Sequence, residues 1–159
     1  MTVPERRHDD PGEPRLEVRV VDSPADMRQV IAIRTVVFID EQHLTDNVDR
    51  DPYDQGAGAV VVLAYLDGEP VGTGRLHVWR GQGQIAWVAV LRPHRGRGVG
   101  REIMEALLDA AAELGAERVT LSAQTHAIEF YRLLGFAPVG DLFIMGNIEH
   151  ITMVRDLAA

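Results

Sequence analysis

A stretch rich in glycine and arginine lies between an apolar run and a helical pattern. It reads Arg95-Gly96-Arg97-Gly98-Val99-Gly100, follows the apolar run 85–91, and opens a helix predicted over about 99–114. A glycine-rich turn at a helix start exposes several backbone N–H groups, and the helix dipole and nearby arginines add positive charge. This pattern predicts a polyphosphate site. A flexible, solvated basic loop would use the same residue types, but the strand before it and the helix after it favour the phosphate site.

The spacing of the glycines narrows the choice of phosphate ligand. No Gly-Lys-Ser/Thr follows, as it would in an ATP-binding P-loop, and the glycines do not form the Gly-x-Gly-x-x-Gly turn of dinucleotide-binding folds. Arg95, Gly98 and Gly100 instead fill the pattern Arg/Gln-x-x-Gly-x-Gly/Ala. The flanking segments read VAVLRP over 88–93 and AIEFYRLLGF over 127–136.

These three segments together resemble the GNAT superfamily of N-acetyltransferases over roughly residues 84 to 140. The resemblance implies an α/β class, with one GNAT domain built on a mixed sheet of about seven strands. It also implies helices on both faces and a splay between strands four and five. The implied activity is transfer of an acetyl group from acetyl-CoA to a primary amine of a small molecule or peptide, by direct attack in a ternary complex. Acetyl-CoA and an amine acceptor are therefore the expected ligands, and no metal is implied.

The resemblance also assigns a set of acetyl-CoA-binding residues. The pantetheine arm is expected to pair with main-chain atoms of strand four as an added strand would. The pyrophosphate is expected on the glycine-rich loop, where the lack of a Cβ lets the backbone approach closely. The full implied set is Val88, Ala89, Val90, Arg95, Gly96, Arg97, Gly98, Val99, Gly100, Arg101, Gln124 and Phe130.

The reaction needs a proton acceptor for the amine and a donor for the leaving thiolate. By resemblance, Tyr131 in the helix after strand five is the acid; a tyrosine anchoring the helix on the core would also suit this place. Many members of the superfamily carry a glutamate base on strand four, but residues 84–88 read QIAWV, with no carboxylate. Glu41, His77 and His150 remain candidates, with Glu41 and His150 preferred, and a water chain is the alternative.

Two further segments resemble the ElaA-like branch of the superfamily. They are RTVVFIDEQ over 34–42 and IEHITM over 148–153. Two other interpretations stay open beside the enzyme. The missing strand-four glutamate would suit a CoA-binding sensor or regulatory module without catalysis, and the loop alone would suit an ATP-binding protein.

Length and composition limit the number of domains and the classes of protein that the chain can belong to. The chain has 159 residues, 46% of them hydrophobic and 25% charged, which predicts one globular domain over 15–159. The polar, proline-rich residues 1–14 are expected to form a disordered tail. A net charge of −8 argues against nucleic-acid binding, and the absence of cysteine excludes disulfides and thiolate metal sites. No signal peptide or membrane-spanning pattern is seen, so we expect a cytoplasmic protein, and a homodimer is possible.

Periodicity predicts the order strand, helix, loop, three strands, helix, strand, helix, two strands. The first helix is expected to begin at Ser23-Pro24 and to continue through Phe38. Asp67-Gly68 and Gly81-Gln82-Gly83 are expected to form hairpin turns. Between helix and strand, residues 40–54 carry six acidic groups and one arginine, which predicts a loop that attracts a cationic amine. Solubilising loop charges are the alternative.

Overall fold

A mixed sheet forms the centre of the protein, which we describe from a computed structural model covering residues 6–7 and 15–157. Its seven longer strands are β1 (Leu16–Val20), β2 (Ala59–Leu66), β3 (Glu69–Trp79), β4 (Gln82–Val90), β5 (Arg118–Gln124), β6 (Ala137–Met145) and β7 (Ile148–Asp156). They lie in the order β1-β2-β3-β4-β5-β7-β6, and only the β4–β5 pair is parallel. A two-residue strand, Arg6–Arg7, pairs with β1; the other residues of the predicted tail lie outside the described part.

The helices cover both faces of this sheet. They are α1 (Pro24–Arg34), which continues as a π-helical segment over Thr35–Glu41, then α2 (Val99–Glu113) and α3 (Ile128–Leu133). Short 3₁₀ turns lie at Pro52–Asp54, Arg92–His94 and Thr125–Ala127. Among the helices that the structure describes, none combines the length and apolar character needed to cross a membrane.

Burial shows which face of the sheet α1 and α2 cover. The buried residues of α2, including Ile103 and Leu107, pack with Val62 and Leu76 of the sheet in one core cluster. On the other face, residues of α1 and the π-helical segment pack against alternate residues of β2, such as Val61 and Leu63. Successive residues of β2 therefore point to opposite clusters, as a strand covered on both faces requires.

Local hydrogen bonds and backbone angles explain where the helices and strands begin and end. Two of the predicted boundaries were wrong. Ser23 caps α1 by accepting a hydrogen bond from the Asp26 N–H at 3.1 Å. The second predicted turn was misplaced: the left-handed residues are Arg80 and Gly81, with φ of 49° and 76°, so β4 begins at Gln82. The predicted α-helix also stops early, because the chain widens to π-helical geometry after Arg34.

β4 and β5 separate after a short parallel stretch, which confirms the predicted splay. Pairing is confined to Gln82–Gln84 against Arg118–Thr120, and β4 then continues to Val90 without β5. A β-bulge lies in the separating part: the β3–β4 register shifts between Thr73 and Arg75, and Trp87 adopts a φ of 57°. The splay leaves one edge of β4 open where the candidate site begins.

Candidate active site

Two cavities open at the splay and meet at a shared wall. The larger, about 1020 Å³, lies beside the glycine-rich loop and is called the glycine-loop cavity. The smaller, about 330 Å³, is lined by His150 among others and is called the His150 cavity. Three residues line both: Val88, Ala127 and Tyr131. A molecule that fills the first cavity and a molecule that fills the second would therefore both contact Tyr131.

The backbone of the glycine-rich loop faces open space, as the predicted anion site requires. Gly96 and Gly98 have φ of 77° and 83°, and Gly98 caps the N-terminus of α2. A Cβ added at either glycine would meet no atom within 4 Å, so the backbone faces open space. The first N–H groups of a helix have no partner inside the helix, so they remain available to a bound anion.

An orphaned polar atom supports the same interpretation. His94, just before the loop, lines the glycine-loop cavity, and its buried Nδ1 has no hydrogen-bond partner among the described residues. A buried nitrogen without a partner is rare in folded proteins and calls for a ligand or water. The cavity, the glycine-rich loop and His94 together fit a large phosphorylated molecule such as an acyl-CoA.

The three loop arginines differ in their surroundings. Arg95 lines the cavity, and its Nε donates to the Val90 carbonyl at 2.8 Å while its Nη2 binds Glu41 at 2.9 Å. Arg101 also lines the cavity and pairs with Glu105 on the next turn of α2 at 3.1 Å. Arg97 is exposed and lines neither cavity.

Most residues of the predicted acetyl-CoA set line the glycine-loop cavity. These are Val88, Val90, Arg95, Gly96, Gly98, Val99, Gly100, Arg101 and Phe130. Ala89 is buried on the opposite face, against the α1 side, as alternation along β4 requires. Gln124 lines the His150 cavity instead, where it pairs with Gln42 at 2.9 Å.

Tyr131 stands at the junction of the two cavities. Its ring makes edge-to-face contacts with Phe130 at 5.0 Å and Phe136 at 6.1 Å, which fix the ring against the core. No described residue forms a hydrogen bond with its hydroxyl group. Burial raises the pKa of Tyr131 to about 12, because the phenolate would lose its hydration. The hydroxyl therefore stays protonated and remains a donor at neutral pH.

His150 brings an imidazole into the second cavity. Its Nδ1 lies 2.7 Å from the Ile148 carbonyl, and its ring stacks on Phe143 with centroids 5.8 Å apart. A carbonyl oxygen only accepts, so Nδ1 must carry the hydrogen of this bond. In the neutral ring, Nε2 is then the nitrogen with the free lone pair. His150 is thus held in the tautomer that can take up a proton at Nε2.

Asp51 supplies a carboxylate that the sequence did not place in the site. It lines the His150 cavity and accepts hydrogen bonds from Trp87 Nε1 at 2.7 Å, Arg75 Nη2 at 2.9 Å and the Tyr53 N–H at 2.8 Å. Burial alone would raise the pKa of Asp51, but the hydrogen bonds from Trp87 and Tyr53 and the charge of Arg75 together lower it. Asp51 is therefore an anion at neutral pH and a weak base.

The other candidate bases lie outside both cavities. Glu41 forms ion pairs with Arg95 at 2.9 Å and Arg92 at 3.5 Å, so its carboxylate fixes the arginine beside the glycine-rich loop. His77 packs on the ring of Tyr53, with centroids 4.6 Å apart. Neither is among the residues that line a cavity.

Several site residues were not singled out from the sequence. Arg75 and Trp87 belong to the wall of the His150 cavity, and Arg155 lies at the far end of the glycine-loop cavity. A buried arginine inside the apolar strand β3 is a local signal for Arg75, since such a charge needs a partner. Nothing local marks Arg155, which reaches the cavity from the last strand and donates to the Leu134 carbonyl at 2.9 Å.

Comparison with known proteins agrees with this geometry. The sequence model described as the acetyltransferase (GNAT) family matches residues 27–136. The Bacillus subtilis protein described as N-acetyltransferase YjcF is 36% identical over 132 residues, covering 82% of this chain and 92% of that protein. The crystal structure of Escherichia coli ElaA superposes with a TM-score of 0.79 at 26% identity, over 89% and 99% of the two chains. The crystal structure of an acyl-CoA N-acyltransferase from Pseudomonas aeruginosa superposes with a TM-score of 0.78 at 28% identity. The match covers 90% of this chain and 99% of that chain.

Proposed function

Because the chain belongs to the acetyltransferase (GNAT) family, we propose that it transfers an acetyl group from acetyl-CoA to a primary amine. Family membership establishes an acyltransferase, and the acetyl donor and the amine acceptor are the proposed part. The reaction is a direct attack of the amine on the thioester while both substrates are bound. One observation carries the proposal: the glycine-loop cavity and the His150 cavity meet at Tyr131.

The glycine-loop cavity is proposed to hold the donor. Backbone N–H groups at the start of α2 and the side chain of Arg101 would bind the pyrophosphate, and His94 Nδ1 is free to donate or accept beside them. Arg95, held by Glu41 and the Val90 carbonyl, keeps the loop against the end of β4. The open edge of β4 offers main-chain groups at Val88 and Val90 to the pantetheine amides.

His150 is proposed to act as the base. An amine arrives protonated at neutral pH and must lose a proton before it can attack. Nε2 of His150 can accept that proton directly or through one water, because Nδ1 already donates to Ile148. Asp51 is the weaker candidate, since the groups that lower its pKa also reduce its basicity.

Tyr131 is proposed to stabilise the sulfur that leaves. The amine nitrogen forms a bond to the carbonyl carbon and then releases its excess proton to water. The carbon–sulfur bond breaks, and the electron pair stays on sulfur as a thiolate. The Tyr131 hydroxyl donates a hydrogen bond to that thiolate. With a tyrosine pKa of about 12 and a thiol pKa of about 8.5 in water, complete proton transfer is unfavourable, so hydrogen bonding is the main contribution.

A catalytically inactive CoA-binding module is the second candidate. The absence of a carboxylate on β4 favours it, since residues 84–88 offer only a glutamine side chain there. Tyr131 and His150 at the junction count against it, because a module that only binds CoA needs neither a second cavity nor an oriented imidazole. The expected cytoplasmic location and the homodimer stay predictions.

An acetyl-transfer assay tests the proposal. Purified protein, acetyl-CoA and a panel of small amines and peptides should release CoA only when a suitable amine is present, with acetylated product visible by mass spectrometry. Tyr131→Phe should lower turnover about 100-fold or more and leave acetyl-CoA binding nearly unchanged. Tight acetyl-CoA binding with no product from any acceptor in the panel would favour the binding module instead.

A further inference from the structure

The acidic loop, residues 42–58, forms one wall of the His150 cavity. Leu44, Asp46 and Asp51 from this loop line the cavity, opposite residues of β5, α3 and the β6–β7 hairpin. A loop whose charges only solubilise the chain was the alternative prediction, yet Val48 is buried in the α1-side core cluster. The loop therefore packs across the molecule, and its position decides what can enter the cavity.

The first end of the acidic loop is joined to the opposite wall by two contacts. Gln42 and Gln124 face each other as an amide pair, with Gln124 Nε2 donating to Gln42 Oε1 at 2.9 Å. Two residues on, Leu44 packs directly on Gly146 in the β6–β7 turn: a Cβ at Gly146 would overlap Cδ2 of Leu44 and lie 3.5 Å from its Cγ. Both contacts span from the loop to elements on the other side of the cavity.

The second end of the acidic loop is held by two buried arginines. Arg34, fully buried, makes a two-pronged ion pair with Asp54, both contacts at 2.8 Å, and donates to the Val48 carbonyl at 3.0 Å. Arg75, also buried, holds Asp51 at 2.9 Å. An ion pair of this kind is costly to break once one partner is buried. The loop is thus fixed at both ends across the His150 cavity.

The size and charge of the His150 cavity define a class of acceptor. A volume of about 330 Å³ is at the low end of the range for small-molecule sites, about 300–1,000 Å³. The charged groups lining it are Asp46, Asp51 and Arg75, together with the titratable His150. Arg75 and Asp51 neutralise each other, so Asp46 leaves an excess negative charge. An acceptor with its own carboxylate would meet that charge without a free cation to offset it.

Resting on the proposed acetyl transfer, we propose that the acceptor is a small free amine without an acidic group, and that the Leu44–Gly146 contact sets its size limit. The contact joins the acidic loop to the β6–β7 turn, so the rest of a peptide has no path on this side of the cavity while Leu44 packs on Gly146. The inference excludes peptide and protein amines, which the family assignment alone leaves open. It also assigns Leu44 and Gly146 as specificity-determining residues rather than catalytic ones.

Three probes separate size from charge. They are 1,4-diaminobutane, 4-aminobutanoate of similar length with a carboxylate at one end, and a hexapeptide whose single primary amine is its N-terminus. With wild-type protein, kcat/KM should favour the diamine over the aminobutanoate about 10-fold or more, because an unpaired like charge is placed in the cavity. It should favour the diamine over the peptide about 100-fold, because the peptide cannot place its amine correctly.

Variants of the contact test the size limit. Leu44→Ala and Gly146→Ala should each reduce the preference for diamine over peptide about 10-fold, by removing or displacing the Leu44 side chain. Gly140→Ala is the matched control: it lies in the same hairpin with φ of 77°, like Gly146 at 60°, but a Cβ there meets nothing within 4 Å. Its acceptor preference should equal the wild-type value, which separates the contact from backbone strain.

The outcomes distinguish this inference from the proposed function. A wild-type protein that acetylates the peptide or the aminobutanoate better than the diamine overturns the inference and leaves acetyl transfer intact. An unchanged diamine-to-peptide preference in folded Leu44→Ala also overturns the size limit. Failure to acetylate every small amine and peptide, with acetyl-CoA bound, overturns the proposed function itself.

Discussion

The glycine-loop cavity and the His150 cavity share a wall, but they differ in how far apart in sequence their main residues lie. The first takes its candidate anion site from one continuous stretch, residues 94–101, where the loop and the helix start follow each other directly. The second takes its walls from α1's extension, the acidic loop, three strands, α3 and the last hairpin. Local backbone geometry makes one site, and long-range side-chain contacts make the other.

This difference implies different responses to substitution. Damage to the glycine-loop cavity should affect donor affinity through backbone shape and leave acceptor preference alone. Damage to the His150 cavity should affect turnover and acceptor choice, because its ion pairs and hydrogen bonds orient the reacting groups. A substitution in one cavity that changed both donor affinity and acceptor preference would contradict this separation of roles.

The largest expected effect is on the base. His150→Gln removes the proposed proton acceptor and should lower kcat/KM about 10²- to 10⁴-fold, the range for general-base groups. Acetyl-CoA affinity by calorimetric titration should stay near the wild-type value, because His150 does not line the glycine-loop cavity. His77→Gln is the control, since His77 packs on Tyr53 outside both cavities and its loss should leave turnover unchanged. Equal losses in the two variants would remove His150 from the mechanism.

Alkaline stability tests the burial of Tyr131. An unfolded tyrosine ionises near pH 10, whereas the pKa of folded Tyr131 is about 12. Below pH 10 the hydroxyl is protonated in both states and its contribution is complete; as pH rises toward 12, the unfolded state ionises first and stability falls. The free energy of unfolding should drop by at most about 3 kcal/mol more in wild type than in Tyr131→Phe. If chemical denaturation gave the same pH dependence of the unfolding free energy for wild type and Tyr131→Phe, the hydroxyl would be exposed to water.

An intermediate effect is expected at the glycine-rich loop. Gly98→Ala should weaken acetyl-CoA binding about 10-fold, by placing a methyl group on the surface where backbone N–H groups meet the pyrophosphate. Gly68→Ala is the matched control, because its φ of 85° resembles the 83° of Gly98 and its Cβ also meets nothing within 4 Å. Both variants should lose similar stability, about 1–2 kcal/mol. If both bind acetyl-CoA alike, the loop is not the pyrophosphate site.

The smallest effect concerns acceptor attraction. Of the six acidic residues predicted to attract a cation, Glu41, Asp51 and Asp54 are paired with arginines, and only Asp46 and Asp51 line the His150 cavity. Asp46→Asn should therefore raise the KM for 1,4-diaminobutane about twofold to threefold at low salt, whereas exposed Asp49→Asn should not. High salt should remove the difference, because screening shortens the reach of exposed charges. Identical KM values would show that the loop charges only solubilise.

The sequence predicted the parts of the molecule that depend on neighbours along the chain. The order of elements, the Ser23 cap and the glycine-rich loop all follow from patterns within a few residues. β4 and β5 are separated in sequence by α2, so neighbouring residues do not show how the two strands pair. Their splay was predicted through the family resemblance. Tyr131 was predicted as the acid through the same resemblance, and the structure places it at the junction of the two cavities.

The acceptor side could not be predicted because it depends on pairs far apart in sequence. Asp51 meets Arg75 and Trp87 across 24 and 36 residues, and Gln42 meets Gln124 across 82. A count of acidic residues gives no information about which of them will find an arginine. Glu41 is an example: its position made it a candidate base, and only the folded chain shows that it pairs with Arg95.

The π-helical segment limits where residues can be inserted into or deleted from this chain. A π-helix arises where one extra residue is accommodated in a helical turn, and it persists only when contacts outside the helix hold it. Here those contacts are Phe38 against Trp87 at 5.1 Å and Glu41 against Arg95. Deleting one residue between Arg34 and Gln42 would let regular α-helix return and rotate the rest of the segment by about 100°. Phe38 and Glu41 could not then both keep their partners, so insertions and deletions should be tolerated elsewhere in the chain before they are tolerated here.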